Sequence, residues 1–270
     1  VGRQGRTLMT SAGLAPRRLA LGKLKAPVVV VLLGLVTLAL IVPVGEVVRL
    51  LLNPGRSLLP SASIWGPLGY TVFYAVAAGV LAVIGATLVA LCSHRARGWL
   101  RRMPSGASLV PLAVPGVVVA LAFTYMAEHY FQGRLYQSST LLVLAYSVMF
   151  LPLAFVGIRA SLAQVPASLG EVAASLGVRP LAQFVRITLP LIAPGIAVGF
   201  ALVFLTTLTE LTATLVLIPT GVQTLATEFW VYQSNLAYGQ AAPYAAAMII
   251  VAGLPLALIS GLDLRRGRRS

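Results

Sequence analysis

Six apolar runs of about twenty residues alternate with short polar stretches along the chain, at 27–52, 70–92, 109–127, 139–158, 193–217 and 240–262. At a rise of about 1.5 Å per helical residue, each can cross a hydrocarbon core about 30 Å thick. The pattern predicts six membrane-spanning helices. Pro43, Gly79, Gly85, Pro152, Gly199 and Gly253 fall within the runs. They can serve close backbone contact or local kinks, or simply reflect the surplus of Gly and Pro in membrane helices, and none marks a site.

Composition agrees with that pattern. Of 270 residues, 59% are hydrophobic and 10% charged, and the mean hydropathy is +0.93, against about 25% charged residues in soluble domains. A soluble globule is excluded, and with it an enzyme built on a soluble catalytic body. The net charge of +14 raises nucleic-acid binding, but its distribution argues otherwise. Arg3, Arg6, Arg17, Arg18, Lys23 and Lys25 precede the first run. Arg95, Arg97, Arg101 and Arg102 follow the second, Arg159, Arg179 and Arg186 the fourth, and Arg265, Arg266, Arg268 and Arg269 the sixth. Seventeen of twenty basic residues therefore fall on one face, leaving Arg49, Arg56 and Arg134 near the other. Positive charge gathers on the cytoplasmic side, so both termini are expected there, beside anionic lipid headgroups, with no nucleic-acid partner.

The loop at 159–192 is too long for a tight turn and patterned as two short helices. Ser168 and Glu171 stand at capping-box spacing. Leu169, Val172, Ala173 and Leu176 follow at helical spacing, and Gly177 supplies a stop. Pro180 can open a second helix, with Leu181, Phe184, Val185 and Thr188 on one face, before Pro190 intervenes. Such an amphipathic pair can pack on its own bundle, float at the interface or present itself to a cytoplasmic partner.

The order of residues in this loop narrows the choice. Glu171-Val172-Ala173, three residues, Gly177, nine residues, Ile187, one residue and Leu189-Pro190 resembles the EAA motif of binding-protein-dependent ABC importer permeases, with Val172 where the family has Ala. The resemblance implies an all-α, polytopic membrane protein with six transmembrane helices in the MetI-like ABC permease fold. It also implies a cytoplasmic coupling helix seated in a groove of an ATPase subunit, through Glu171, Val172, Ala173, Ala174 and Gly177. Ile187, Leu189 and Pro190 then fix its return into span five. Pro111-Leu112-Ala113-Val114-Pro115-Gly116 is similar to a segment that opens span three in these permeases. Glu210-Leu211-Thr212-Ala213-Thr214-Leu215 and the run Thr220-Gly221-Val222-Gln223-Thr224-Leu225-Ala226-Thr227 resemble the ferric-iron branch, although Thr212 stands where that branch usually has Pro. In that branch two halves are often fused, and the stretch before the first run resembles their linker. The chain, which opens on Val1 without a signal peptide, is thus expected to be the C-terminal half of a longer permease. The expected layout is a basic cytoplasmic segment at 1–26, a permease domain at 27–262 and a basic tail at 263–270.

Glu210 is the one carboxylate well inside a predicted run, and an ionised carboxylate there costs on the order of 2.5–3.5 kcal/mol unless paired or hydrated. Thr206, Thr209 and Ala213 are expected on its helical face and Thr214 beside it, giving either a polar stripe along a translocation path or gate, or an interhelical anchor without substrate contact. Tyr125, Glu128, His129 and Tyr130 gather at one end of span three. Their oxygen donors suit a hard ferric ion, but interfacial Tyr and His are ordinary, and no metal site is assigned. Glu228 and Trp230 lie in the last outer loop, where a binding protein can dock or Trp can anchor at the interface. His94 is read as facing headgroups, and Cys92, the single cysteine, forms no internal disulfide.

No phosphate-binding loop occurs, and the two lysines, Lys23 and Lys25, both precede the first span. The chain is therefore expected to bind no cofactor and to be no enzyme, with ATP and Mg held on separate ATPase chains. The expected partners are a second permease half, two ATPase subunits, an extracytoplasmic substrate-binding protein and lipid of the bacterial inner membrane. Ferric iron is the expected cargo. Thiamine, a polyamine, a phosphonate or an oxyanion remain alternatives within the class, and an ATPase-independent channel or scaffold outside it.

Overall fold

The computed structural model describes residues 24–52, 64–95 and 110–267, except for the side chains at 94, 95, 167, 171, 254 and 256–267. His94 and the Glu171 side chain, together with most of the 1–26 segment and the end of the tail, lie outside what is described. Two compact units divide the chain at Glu46 and Val47. In the first, α1 (Lys25–Leu51) begins, containing a wide π turn at Thr37–Ile41.

The second unit holds α2 (Trp65–Arg95), a 3-10 turn at Val110–Ala113, α3 (Gly116–Phe131), α4 (Ser139–Leu162), α5 (Ala167–Ser175), α6 (Pro180–Thr209), α7 (Thr212–Leu217), α8 (Leu225–Ser234) and α9 (Tyr238–Gly267). No strand occurs among the described residues. α1, α2, α4 and α6 are each long and apolar enough to cross a membrane. α9 stands at the place of the sixth expected span. α3 stands at the third but holds only 16 residues, about 24 Å of helix, short of a full hydrocarbon core.

The centre is α4, buried on most sides and packed between α2 and α6. α2 turns Ala78, Ala82, Ala86 and Ala90 into the bundle, a four-residue repeat that keeps one helical face thin. Against α6 the approach is closer. A Cβ on Gly157 would fall 2.9 Å from the Gly195 carbonyl oxygen, and one on Gly199 would fall 2.9 Å from the Ala154 Cα. Lipid tails give no hydrophobic drive for helices to associate, so such backbone contact supplies the dispersion energy that holds them. Of the glycines noted in the runs, Gly79 receives the Phe200 ring, Gly85 the Leu151 methyl and Gly199 the Ala154 backbone, while Gly253 faces open space.

Pro190 does not end the loop's second helix as its position predicts; Pro180–Thr209 is one continuous helix. The physical reason lies one turn earlier, in a π turn at Phe184–Thr188, where the Leu189 N–H reaches the Phe184 carbonyl. Proline lacks an N–H and crowds the carbonyl four residues back, and a turn widened by one residue moves that carbonyl aside. α1 repeats the device, with the Thr37–Ile41 π turn placed two residues before Pro43.

Candidate functional site

Two places carry the chain's chemistry, the loop between α4 and α6 and the break at the far end of α6. In the loop, α5 starts at Ala167 behind Pro166, whose backbone is extended and whose N-cap role uses no side chain. The Ser168–Glu171 capping box is therefore not formed as expected. A capping serine must sit in extended conformation just ahead of the helix, and Pro166 already occupies that role, leaving Ser168 inside the first turn.

The stop is as the sequence reads. Gly177 has φ +72°, its N–H reaches the Ala174 carbonyl, and the Val178 N–H reaches that of Ala173, each at 3.0 Å, a Schellman closure. A Cβ at Gly177 would meet nothing within 4 Å, so glycine is needed for its backbone angle and not for space. Arg179 is extended and Pro180 occupies the first turn of α6. The helices pack where Gln183 meets Gly170, 2.9 Å from where a Cβ would sit.

Of the apolar face expected on α5, Ala173 alone is buried; Leu169, Val172 and Leu176 are exposed, as is Leu181 on α6. Leu176 is 75% and Leu181 74% accessible. Ala174 and Pro190 are also exposed, while Ile187 and Leu189 are half-buried at the root of the loop. The loop thus fixes its own backbone and leaves its large apolar side chains uncovered.

At the other end, α6 stops at Thr209 and Glu210 is extended, with ψ 122°. The helical face expected to run through Thr206, Thr209, Glu210 and Ala213 is interrupted there. Ala213 belongs to α7 and is fully buried, whereas Thr209 is exposed. At the break the Glu210 Oε1 accepts hydrogen bonds from the Ala213 N–H at 3.0 Å and from the Thr212 hydroxyl at 2.5 Å, so the carboxylate satisfies a backbone N–H that the start of α7 leaves unpaired and suits the positive end of that helix. The Thr206 and Thr209 hydroxyls donate back to carbonyls of their own helix. Thr214, fully buried, donates to the Glu210 carbonyl at 2.5 Å and accepts from the Tyr146 hydroxyl of α4. It fastens α7 to the core.

One partner of Glu210 escaped sequence reading. A Cβ on Gly116, the first residue of α3, would fall 3.2 Å from Glu210 Oε1 and 2.6 Å from the Thr212 hydroxyl. The only hint was the Pro115-Gly116 pair ahead of an apolar run.

The outer loops separate the remaining candidates. Tyr125 stacks on His129 at 5.3 Å, with Tyr130 edge-on to the imidazole at 5.1 Å, and among the described residues no three His, Cys, Asp or Glu side chains gather to hold a metal. Trp230 is exposed, whereas Glu228 is buried. It lies in the first turn of α8, behind a capping box formed by Thr224 and Thr227, and hydrogen-bonds Tyr244 of α9, whose ring stacks on Tyr232 at 5.6 Å. The box uses Thr at its last position where the sequence pattern looks for Glu or Gln. Burial raises the Glu228 carboxyl above the usual carboxylate range, and the Tyr244 hydrogen bond pulls it partly back. From about pH 4 upward a loosened chain ionises this group before the folded one does, so stability falls as pH rises through the raised value. Glu228→Gln is expected to flatten the pH dependence of the thermal midpoint in detergent; an unchanged slope would deny Glu228 this role.

Comparison with known proteins bears on the same segments. The family of binding-protein-dependent transport system inner membrane components matches residues 86–265, which include both the loop and the break. The chain belongs to this family. This inner-membrane component is 38% identical over 161 residues to the Fe(3+)-transport system permease protein FbpB 2 of Haemophilus influenzae, a match covering 60% of this chain and 31% of that protein. It is 30% identical over 150 residues to the molybdenum transport system permease protein ModB of Mycobacterium tuberculosis, covering 52% and 57%. The chain thus spans about a third of the first relative's length and rather more than half of the second's. Among solved structures, a bacterial ABC transporter involved in alginate import superposes with a TM-score of 0.63 at 14% identity, covering 90% of this chain and 94% of that one. The MetNI methionine ABC transporter, in inward-facing form, does so with a TM-score of 0.60 at 12% identity, covering 74% and 94%. At these identities the likeness is one of fold, and it is the ABC importer permease fold that the loop motif implies. The chain is a multi-pass component of the inner membrane, and its family consists of transport components, not enzymes.

Proposed function

We propose that the chain is a permease half of an ATP-driven importer for ferric iron, moved by ATPase subunits that grip the loop between α4 and α6. The observation that carries this reading is the loop itself. Its backbone is closed by Gly177 and anchored by the α6 helix, yet Leu169, Val172, Leu176 and Leu181 stay exposed. An apolar patch on a short, internally fixed helix suits a groove on a partner.

Mechanically, Pro180–Thr209 forms one helix, about 45 Å long, from the loop to Glu210. Nucleotide-driven closure of two ATPase subunits, which hold ATP and Mg, would displace the loop. The helix would carry that shift to the break as a rigid-body motion. Thr206, Thr209 and Glu210 border the path at that end. A second permease half completes the pathway, a substrate-binding protein delivers cargo on the outer side, and both termini lie in the cytoplasm, where the basic loops meet anionic lipid.

Ferric cargo is supported by the identity to the Haemophilus influenzae permease. The weaker likeness to a molybdenum permease makes an oxyanion the rival cargo. With the complete complex in lipid, ATP hydrolysis is expected to rise several-fold on adding binding protein loaded with ferric iron and to stay at its basal rate with empty protein. Stimulation by a molybdate-loaded protein alone would transfer the cargo assignment to the oxyanion.

A further inference from the structure

The first turn of α3 and the α6–α7 break meet beside the middle of α4, with Gly116 and Glu210 half-buried and Thr212 exposed. Gly116 faces the Met149 methyl, 3.1 Å from where a Cβ would sit, and Met149 lies near the middle of the 24-residue α4. Just before Gly116 the backbone runs through a 3-10 turn and the extended Pro115. Non-helical backbone at such a depth is tolerated where protein covers it or where it borders a water-filled space. Two interruptions, at 114–115 and 210–211, therefore face each other across one carboxylate.

We propose that Glu210, Thr212 and Gly116 form a latch between the start of α3 and the α6–α7 break, and that this latch must part for cargo to pass. The proposal rests on the reading that Glu210 borders the cargo's path, and it adds what holds that path shut. Each member has a distinct task. Glu210 Oε1 takes two donors from the α7 start, the Thr212 hydroxyl at 2.5 Å and the Ala213 N–H at 3.0 Å. That oxygen and the Thr212 hydroxyl both border the space a side chain on Gly116 would fill, 3.2 Å and 2.6 Å from where its Cβ would sit. Only a residue without a side chain lets the start of α3 come this close. Glu210 is a hinge as well, since its extended backbone ends α6, so any motion of that helix arrives at the carboxylate. The latch is thus a positioning device, and holding it requires no cargo contact by Glu210.

The contact is near enough to cross-link. In the full complex carrying Cys92→Ser, cysteines introduced by Gly116→Cys and Thr212→Cys fall within the spacing a disulfide bridges. Oxidation with copper phenanthroline is expected to cut ferric uptake by proteoliposomes at least tenfold, and dithiothreitol is expected to restore it. Complete cross-linking with undiminished uptake would overturn the latch. The reduced Cys92→Ser parent serves as the control: absence of ferric uptake there would sink the cargo assignment and leave the latch to be judged by its second arm. That arm is Thr212→Val, which keeps the side-chain shape and removes one donor. It is expected to raise cargo-free ATP hydrolysis at least threefold as the closed form loosens; an unchanged rate would overturn the latch whatever the cargo.

Discussion

Leu176→Asp and Leu181→Asp, introduced together, are expected to separate the chain from its ATPase subunits and reduce ATP-driven uptake at least tenfold, while leaving the chain itself folded. Both side chains are about three-quarters accessible, so charging them removes little from the chain's own packing. Burial of a leucine in a partner's groove is worth about 1.5–3 kcal/mol, and every 1.4 kcal/mol is roughly tenfold in affinity. Losing both leucines and burying carboxylates in their place removes that contact energy and adds a desolvation cost. Co-purification with the ATPase and the thermal midpoint of the isolated chain together check this. Retained co-purification would place the ATPase contact elsewhere, and a lowered midpoint would show that the leucines serve the chain's own fold.

The second large effect concerns the α4–α6 seam. Gly199→Leu places a side chain where a Cβ already falls 2.9 Å from the Ala154 Cα and 3.0 Å from its carbonyl oxygen. Those are backbone atoms and cannot swing aside. The helices must part, and Gly157 and Gly195, which meet by the same kind of contact, part with them. A cost of about 3 kcal/mol is expected, at the upper end of the usual range for overpacking, lowering the thermal midpoint by roughly 6–12 °C. Gly253→Ala is the matched control, because nothing lies within 4 Å of a Cβ there and the change restores helix propensity. Equal midpoints for the two variants would deny the seam its structural role.

Hydropathy located the long apolar helices, four of which are long and apolar enough among the described residues to cross a membrane. It placed α1, α2 and α4 within a few residues and located α9. It could not show that α6 breaks at Glu210. The run at 193–217 is interrupted only by five threonines and Glu210, none of which marks a stop, and at the break the Glu210 side chain takes the Ala213 N–H. α3 likewise starts later than its apolar run, because a 3-10 turn that contains Pro111 and then the N-cap Pro115 precede it. In the loop, Gly177 and Pro180 were legible because each has a backbone requirement that a single residue type meets. The Ser168 cap was not, since any cap competes with its neighbours and Pro166 held the extended position. Pro190 misled for a related reason. Its clash is real, but the π turn that relieves it carries no sequence signal of its own. At the site, the motif located the loop but not its uncovered leucines, and Glu210 was legible as an intramembrane carboxylate while Gly116, its neighbour 94 positions earlier, was not.

Whether an ATPase subunit holds this chain by the loop between α4 and α6 is decided by photo-cross-linking in the assembled complex. A photoreactive residue at Leu181 is compared with one at Leu236, an outer-loop position of nearly equal accessibility, 73% against 74%. Capture of the ATPase chain is expected from position 181 and none from 236. Capture from 236, or from neither while the complex remains assembled, would contradict it.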